Sequence, residues 1–225
     1  MKNVAAHKYK QASHTTHRKN LMTKSFTIES QETKFDGFYQ VDQLTLRSTG
    51  VEGSYTREVF MRGHSACVLV YDPALDKVLL IEELRAGNIA AGLPAEQCFA
   101  LSPIAGMVDH GEEPMHAVIR EGKEEAGINL AGQCFYGPRR TLPSPGGSSE
   151  IIHHYLAIAD LSQVKDGETF GEAGEHEHTT VRLMSLEEAE DKVMGGIANG
   201  LTATCLIWLE NMILTGRIEK KKEAA

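Results

Sequence analysis

From Ser25 onward, hydrophobic and polar positions alternate in ways that predict a run of strands broken by few helices. SFTIE and FYQVDQLTLR, with Val41, Leu44 and Leu46 as core contacts, predict two strands. A turn at Thr49–Gly53 leads to a third, SYTREVFMRG. HSACVLVY is continuously apolar and predicts a strand buried on both faces. Asp72-Pro73 and Asp76 mark a turn into KVLLIEELR, and a polar loop from Ala86 to Gln97 precedes CFALSPIAG. QCFYGPRRTL and IIHHYLAIAD predict strands on either side of the loop PSPGGSSE. KDGETFGEAGEHEHT (165–179) has no periodicity and reads as a mobile loop, followed by the strand TVRLM. Ser185 and Glu188 form a capping box that opens a helix, and a last helix over 201–215 carries Leu206, Trp208, Leu209 and Ile213. This order is an α+β pattern.

One helix stands apart. In GMVDHGEEPMHAVIREGKEEAGI (106–128), Pro114 suits a first helical turn and Gly127 a C-terminal stop. Met115, Val118, Ile119, Gly122 and Ala126 form an apolar stripe for the core. Glu121, Glu124 and Glu125 fall at i, i+3 and i+4 on the other side, outside that core and facing solvent. Like charges so close repel unless a cation sits among them, and oxygen donors suit a hard ion such as Mg²⁺. A solvated acidic face would account for the glutamates, but not for Gly106, Glu112, Arg120 and Gly127 at their offsets.

Composition narrows the picture little. At 41% hydrophobic and 24% charged, the 225 residues are ordinary for a globular enzyme with one core, or one core and a small subdomain. No apolar run approaches a membrane span and no secretory signal is visible, so no membrane is expected and the cytoplasm is the expected compartment. Cys67, Cys98, Cys134 and Cys205 are scattered with no C-x-x-C pair, which argues against a disulfide or zinc framework; Cys67 and Cys205 lie in apolar runs as small core residues.

Charge changes it more. Residues 1–24 hold six basic and no acidic side chains, with no apolar periodicity, and read as a disordered extension. The rest carries 17 basic against 31 acidic residues, a poor nucleic-acid binder. An anionic substrate must therefore be met by local arginines and a metal.

The stretch 106–128 resembles the signature of the Nudix hydrolases, G-x5-E-x7-R-E-U-x-E-E-x-G-U with U apolar, at eight of its nine specified positions. Seven exact matches would arise by chance about once in 10⁸ to 10⁹ windows at residue frequencies of roughly 5–7%. The departure is Gly122, where U is expected; a Gly inside a helix costs about 1 kcal/mol relative to Ala, so Ala there should stabilise. TREVFMRGHSA, VLLIEELR, AGMVDHGEE and SPGG extend the likeness over about residues 25–218 and narrow it to the ADP-ribose pyrophosphatase branch.

The resemblance implies a mixed sheet sandwiched between helices (63–225), preceded by an antiparallel β subdomain (25–62) that exchanges between the chains of a homodimer. Carried over residue by residue, it gives Glu121, Glu124, Glu125 and the Ala105 carbonyl as ligands of Mg²⁺, with Mn²⁺ as the alternative ion. Glu112 and Arg120 become an ion pair holding the loop against the helix. Arg57 and Glu58 would contact nucleotide from the neighbouring chain, Arg85 the pyrophosphate, and Pro145, 17 residues after Ile128, the substrate. The general base would be Glu175 on the 165–179 loop, with Glu177 reaching base or metal; His176 and His178 are expected in solvent. Ser102 and Asp36 stand where the branch commonly has Glu and Arg.

The expected reaction is hydrolysis of ADP-ribose to AMP and ribose 5-phosphate. A GDP-mannose or other nucleotide-sugar pyrophosphatase is the rival within the class, and a non-catalytic ADP-ribose sensor the rival outside it.

Overall fold

The computed structural model describes residues 24–171, 174, 178–196 and 198–220. It opens with β1 (Phe26–Asp36), β2 (Gln40–Ser48) and β3 (Tyr55–Met61), an antiparallel sheet in the order β1-β2-β3. β1 is longer than SFTIE suggests and continues through Gln31–Asp36, with register shifts that let the extra residues pair. The expected core contacts Val41, Leu44 and Leu46 are only half-buried, and the buried member of β2 is Asp42. Every residue of β1 is exposed, Phe26 and Phe35 among them. This sheet has no apolar core of its own, as expected for three strands.

β4 (Ser65–Asp72) and β5 (Lys77–Leu84) follow. The Asp72 carboxylate accepts from Ala74 and Leu75 N–H, and Asp76 takes the positive φ that closes the turn. The expected loop 86–97 instead holds two short helices, α1 (Ala86–Ala90) and α2 (Ala95–Cys98), too brief for hydrophobic periodicity to register. Next come β6 (Phe99–Ser102), β7 (Ile104–Met107), α3 (Pro114–Ala126), β8 (Cys134–Thr141) and β9 (Ile152–Ile158). β10 (Thr169–Phe170), β11 (Thr179–Ser185), α4 (Leu186–Met194) and α5 (Gly200–Leu214) follow among the described residues. Ser185 Oγ accepts from Glu188 N–H, the N-cap expected there.

The large sheet runs β10-β11-β5-β4-β9-β8, with β4 and β9 parallel and the other pairs antiparallel. β4 and β5 pair only from Val70 to Asp72 and then part. β7 fills the gap beside β4, and β6 continues beside β5. That split carries Ala105 and Gly106 to the middle of the sheet, opposite Cys67 and Ala66.

β4 is wholly buried because both its faces are covered. Ala66, Val68 and Val70 pack with Val118 and Ala126 of α3; Cys67, Leu69 and Tyr71 pack with Leu206 and Leu209 of α5. The result is a sheet between helices, the expected α+β layering. Among the described residues no helix is long and apolar enough to cross a membrane.

Candidate functional site

Pro114 opens α3, and Gly127, at φ 62°, closes it in the left-handed conformation. Between these ends the expected solvent-facing glutamates are not in solvent. Glu125 is 1% exposed and Glu121 7%; only Glu124 is half-buried. The polar side of α3 lies against β7, which the periodicity of the helix alone could not reveal. Glu125 Oε2 accepts the Ala105 N–H at 2.9 Å. Glu121 fills the space above Gly106, where a Cβ would overlap its carboxyl group. The signature glycine is thus a cradle for a carboxylate.

Arg120 answers the repulsion among these groups. Its Nη1 donates to Glu121 Oε1 at 2.7 Å and Glu124 Oε2 at 2.9 Å. Its Nη2 reaches the Met107 carbonyl at 3.0 Å and Glu112 Oε2 at 3.2 Å, and Nε reaches Glu112 Oε1 at 3.3 Å. Glu112 also accepts the Asp109 N–H. The ion pair expected between Glu112 and Arg120 therefore holds the loop to the helix, and Arg120 serves two further carboxylates. The Arg120 bond pulls the Glu112 carboxyl below its ordinary value, while burial works against it.

These groups border a cleft of about 1200 Å³ lined by Ala105, Gly106, Arg120 and Glu121 on one side. Arg85 also lines it, pairing with Glu83 at 2.8 Å and donating through Nη2 to Ser102 Oγ at 2.8 Å, while its buried Nε has no protein partner. The structure thus brings together Ala105, Glu121, Glu125 and Arg85, with Glu124 alongside.

Other expected residues lie elsewhere. Arg57 and Glu58 are exposed on β3, outside their own chain's cleft; the Arg57 guanidinium stacks over Tyr55 at 4.8 Å. Pro145 is exposed, whereas Pro143 lines the cleft. The SPGG turn instead anchors the N-terminal sheet: Phe60 N–H donates to the Gly147 carbonyl and Ser149 N–H to the Phe60 carbonyl. Glu175, His176 and Glu177 lie outside the described residues; His178 is exposed, as expected. On either side of them, Gly171 N–H donates to the Glu124 carbonyl and Thr179 Oγ1 to the Glu125 carbonyl, and Gly174 lines the cleft.

Several lining residues escaped the sequence reading. Arg62 faces buried Glu150 at 3.7 Å, and Glu150 accepts from Ser65 Oγ at 2.7 Å. The one available signal was Arg62 inside TREVFMRG. Nothing local marks Glu150, 85 positions from Ser65.

A second buried group sits behind the cleft: Cys67, His154 and Cys205. The hydrogen bond from Cys67 lowers the pKa of the Cys205 thiol, whereas the bond to Cys205 and burial push the Cys67 thiol up.

Comparison with known proteins agrees with this geometry. The NUDIX domain family model matches residues 61–203. An ADP-ribose pyrophosphatase of Haemophilus influenzae is 32% identical over 190 residues, covering 81% of this chain and 85% of that one. Its counterpart in Escherichia coli (strain K12) is 33% identical over 194 residues, covering 81% and 87%. A GDP-mannose pyrophosphatase of Cronobacter sakazakii is 29% identical over 188 residues, covering 80% and 91%. The crystal structure of an ADP compounds hydrolase shares the fold, with a TM-score of 0.64 at 19% identity over 86% of this chain and 97% of that one. With the signature glycine, arginine and glutamates meeting at one cleft, and the family model spanning most of the chain, the chain belongs to the Nudix family of hydrolases.

Proposed function

We propose that this hydrolase cleaves the pyrophosphate of ADP-ribose to AMP and ribose 5-phosphate, using a divalent ion, Mg²⁺ in the first place. The observation that carries the reading is the pairing of buried Glu121 and Glu125, held against Ala105 and Gly106, with Arg85 in the same cleft. The donor set fits a hard cation, since it is all oxygen and a glycine leaves room for the carboxylate. Glu121, Glu124, Glu125 and the Ala105 carbonyl would hold the ion. When bound, it would lower the pKa of an attacking water and offset charge on the leaving phosphate.

The side chains do the rest. Arg120 offsets the negative charge of Glu112, Glu121 and Glu124 by donating to all three. Arg85 lines the same cleft, and its guanidinium fork suits two phosphate oxygens. Glu175 is the proposed base and Glu177 its neighbour in that role; in the sequence both lie between Gly171 and Thr179, which donate to the Glu124 and Glu125 carbonyls of α3. Such a carboxylate would take the water's proton at a terminal oxygen.

The ends of the substrate would be read by Arg57, Glu58 and Pro145, the first two in the cleft of a partner chain. Their position outside their own cleft, and the exposure of apolar side chains along β1, favour a homodimer in which the N-terminal sheets meet.

A second reading, a GDP-mannose pyrophosphatase, is favoured by the 29% identity to a protein of that name. The choice is tested by kcat/KM over ADP-ribose, GDP-mannose, NADH and a nucleoside triphosphate with Mg²⁺. ADP-ribose should lead. GDP-mannose ahead by tenfold, about 1.4 kcal/mol, would hand the assignment to the second reading. No metal-dependent turnover of any of them would point to a sensor.

A further inference from the structure

Cys67 on β4, His154 on β9 and Cys205 on α5 converge on one point in the core. Cys67 Sγ lies 3.4 Å from His154 Nδ1 and 3.9 Å from Cys205 Sγ, and Cys205 Sγ is 3.6 Å from the same Nδ1. All three residues are buried, at no more than 1% exposure. Two of the separations along the chain are 87 and 138 residues, so the fold alone brings the donors together.

The triangle has the dimensions of a coordination site. A tetrahedral Zn²⁺, with Zn–S about 2.3 Å and Zn–N about 2.0–2.1 Å, sets its sulfurs about 3.8 Å apart and each sulfur about 3.5 Å from the nitrogen. The three observed separations match to within about 0.2 Å. An ion at bonding distance from all three atoms would sit just out of their plane, with no backbone movement.

The imidazole is oriented for this. His154 Nε2 lies 2.7 Å from Thr141 Oγ1. With Nε2–H donating to that hydroxyl, the Nδ1 lone pair points at both sulfurs. A ligating histidine is held in this way through its other ring nitrogen. A disulfide is the competing use of the thiols, but it would need the sulfurs to close to about 2.05 Å and would leave the Nδ1 lone pair with no S–H donor.

We propose that Cys67, His154 and Cys205 form a site for a thiophilic divalent cation, Zn²⁺ above all, separate from the carboxylates of α3. Thiolate and imidazole donors select such an ion, whereas the oxygen set on α3 selects a hard one. Two thiolates neutralise the ion's charge, which makes its burial acceptable in a core. Three protein ligands leave one vertex open to a water. The ion clamps α5 to β4 and β9, and because His154 and Thr141 also line the cleft, it stiffens the cleft's floor.

The test uses full-length, reduced, metal-stripped protein with excess Mg²⁺ over the carboxylates and Co²⁺ as the probe. One equivalent of Co²⁺ should produce a thiolate-to-cobalt charge-transfer band that Zn²⁺ abolishes. The band should survive in Glu125→Gln and in Cys134→Ser, which removes the exposed thiol. It should vanish in Cys205→Ser, and Thr141→Val should weaken binding about 10–100-fold. Absence of the band from folded wild-type protein overturns the proposal, whatever the variants do. So does its persistence at full strength in both Cys67→Ser and Cys205→Ser.

Discussion

Gly106 and Glu121 share the volume of a single side chain: a Cβ added to the glycine would overlap the glutamate's carboxyl group. The carboxylate is the far end of a side chain, so it can be pushed aside more easily than the backbone can. It is also 7% exposed and held by Arg120 at 2.7 Å, so moving it aside disturbs the arrangement of the carboxylates. Gly106→Ala should therefore keep the fold at a cost of about 1–2 kcal/mol while lowering kcat by about 10²-fold or more. Urea denaturation and turnover at saturating Mg²⁺ measure the two. Equal losses in both would mean that Gly106 is a backbone requirement only.

Glu125→Gln separates charge from shape. The amide can still accept the Ala105 N–H, but it places an NH₂ group in a site that is 1% exposed. Stability should fall by about 1–3 kcal/mol, because a neutral amide replaces a buried, hydrogen-bonded carboxylate. Activity should fall by about 10²-fold or more through loss of the charge. Wild-type turnover with saturating Mg²⁺ would remove Glu125 from the metal site.

The two faces of α3 show how far the sequence could be read. Its ends, its apolar stripe and its glutamates were legible because capping chemistry and a 3.6-residue period are local properties. The burial of Glu121 and Glu125 was not, since it depends on β7 being wedged between β4 and β5 and pressed onto the polar face. Likewise Cys67 and Cys205 read correctly as core residues, but their meeting with His154 rests on pairings 87 and 51 positions apart. The strand order of the main sheet was foreshadowed only in class, because side-chain alternation does not say which strand lies beside which.

Gly122→Ala tests local propensity against packing. The helix alone would gain about 1 kcal/mol from alanine. A Cβ there, however, meets Leu130 Cδ1 at 3.0 Å and the Ile128 carbonyl at 3.2 Å. The Gly122 carbonyl accepts the Ile128 N–H at 2.8 Å, which keeps that turn from backing away. Overpacking costs typically about 1–3 kcal/mol, so the net effect should be a loss of about 1 kcal/mol, the reverse of the helix-propensity expectation. A higher urea midpoint than wild type would show that Leu130 yields.

Deleting residues 1–24 should leave oligomeric state, melting temperature and kcat unchanged, since that segment has no apolar pattern to bury. Deleting residues 1–62 removes β1–β3 together with the Phe60 bonds to the SPGG turn, and exposes Glu150 by taking Arg62. Dimer and activity should both be lost, as light scattering coupled to size exclusion and an ADP-ribose assay would show. A monomer after the shorter deletion would place the dimer contact in the first 24 residues.

Arg85 should be sensitive to the shape of its charge. Ser102 Oγ accepts from Nη2 and the Glu83 carboxylate pairs with Nη1, each at 2.8 Å, while Nε is buried. A lysine would keep the charge and could still pair with Glu83, so the fold should lose no more than about 1 kcal/mol. It would lose the planar fork, and with it any two-point grip on phosphate oxygens. If that grip tightens as the pyrophosphate charge redistributes, Arg85→Lys should cut kcat/KM for ADP-ribose by about 10–100-fold, with most of the loss in kcat. A loss confined to KM would mean that Arg85 binds ground state and transition state alike. Unchanged kinetics would return Arg85 to a structural partner of Glu83 and Ser102.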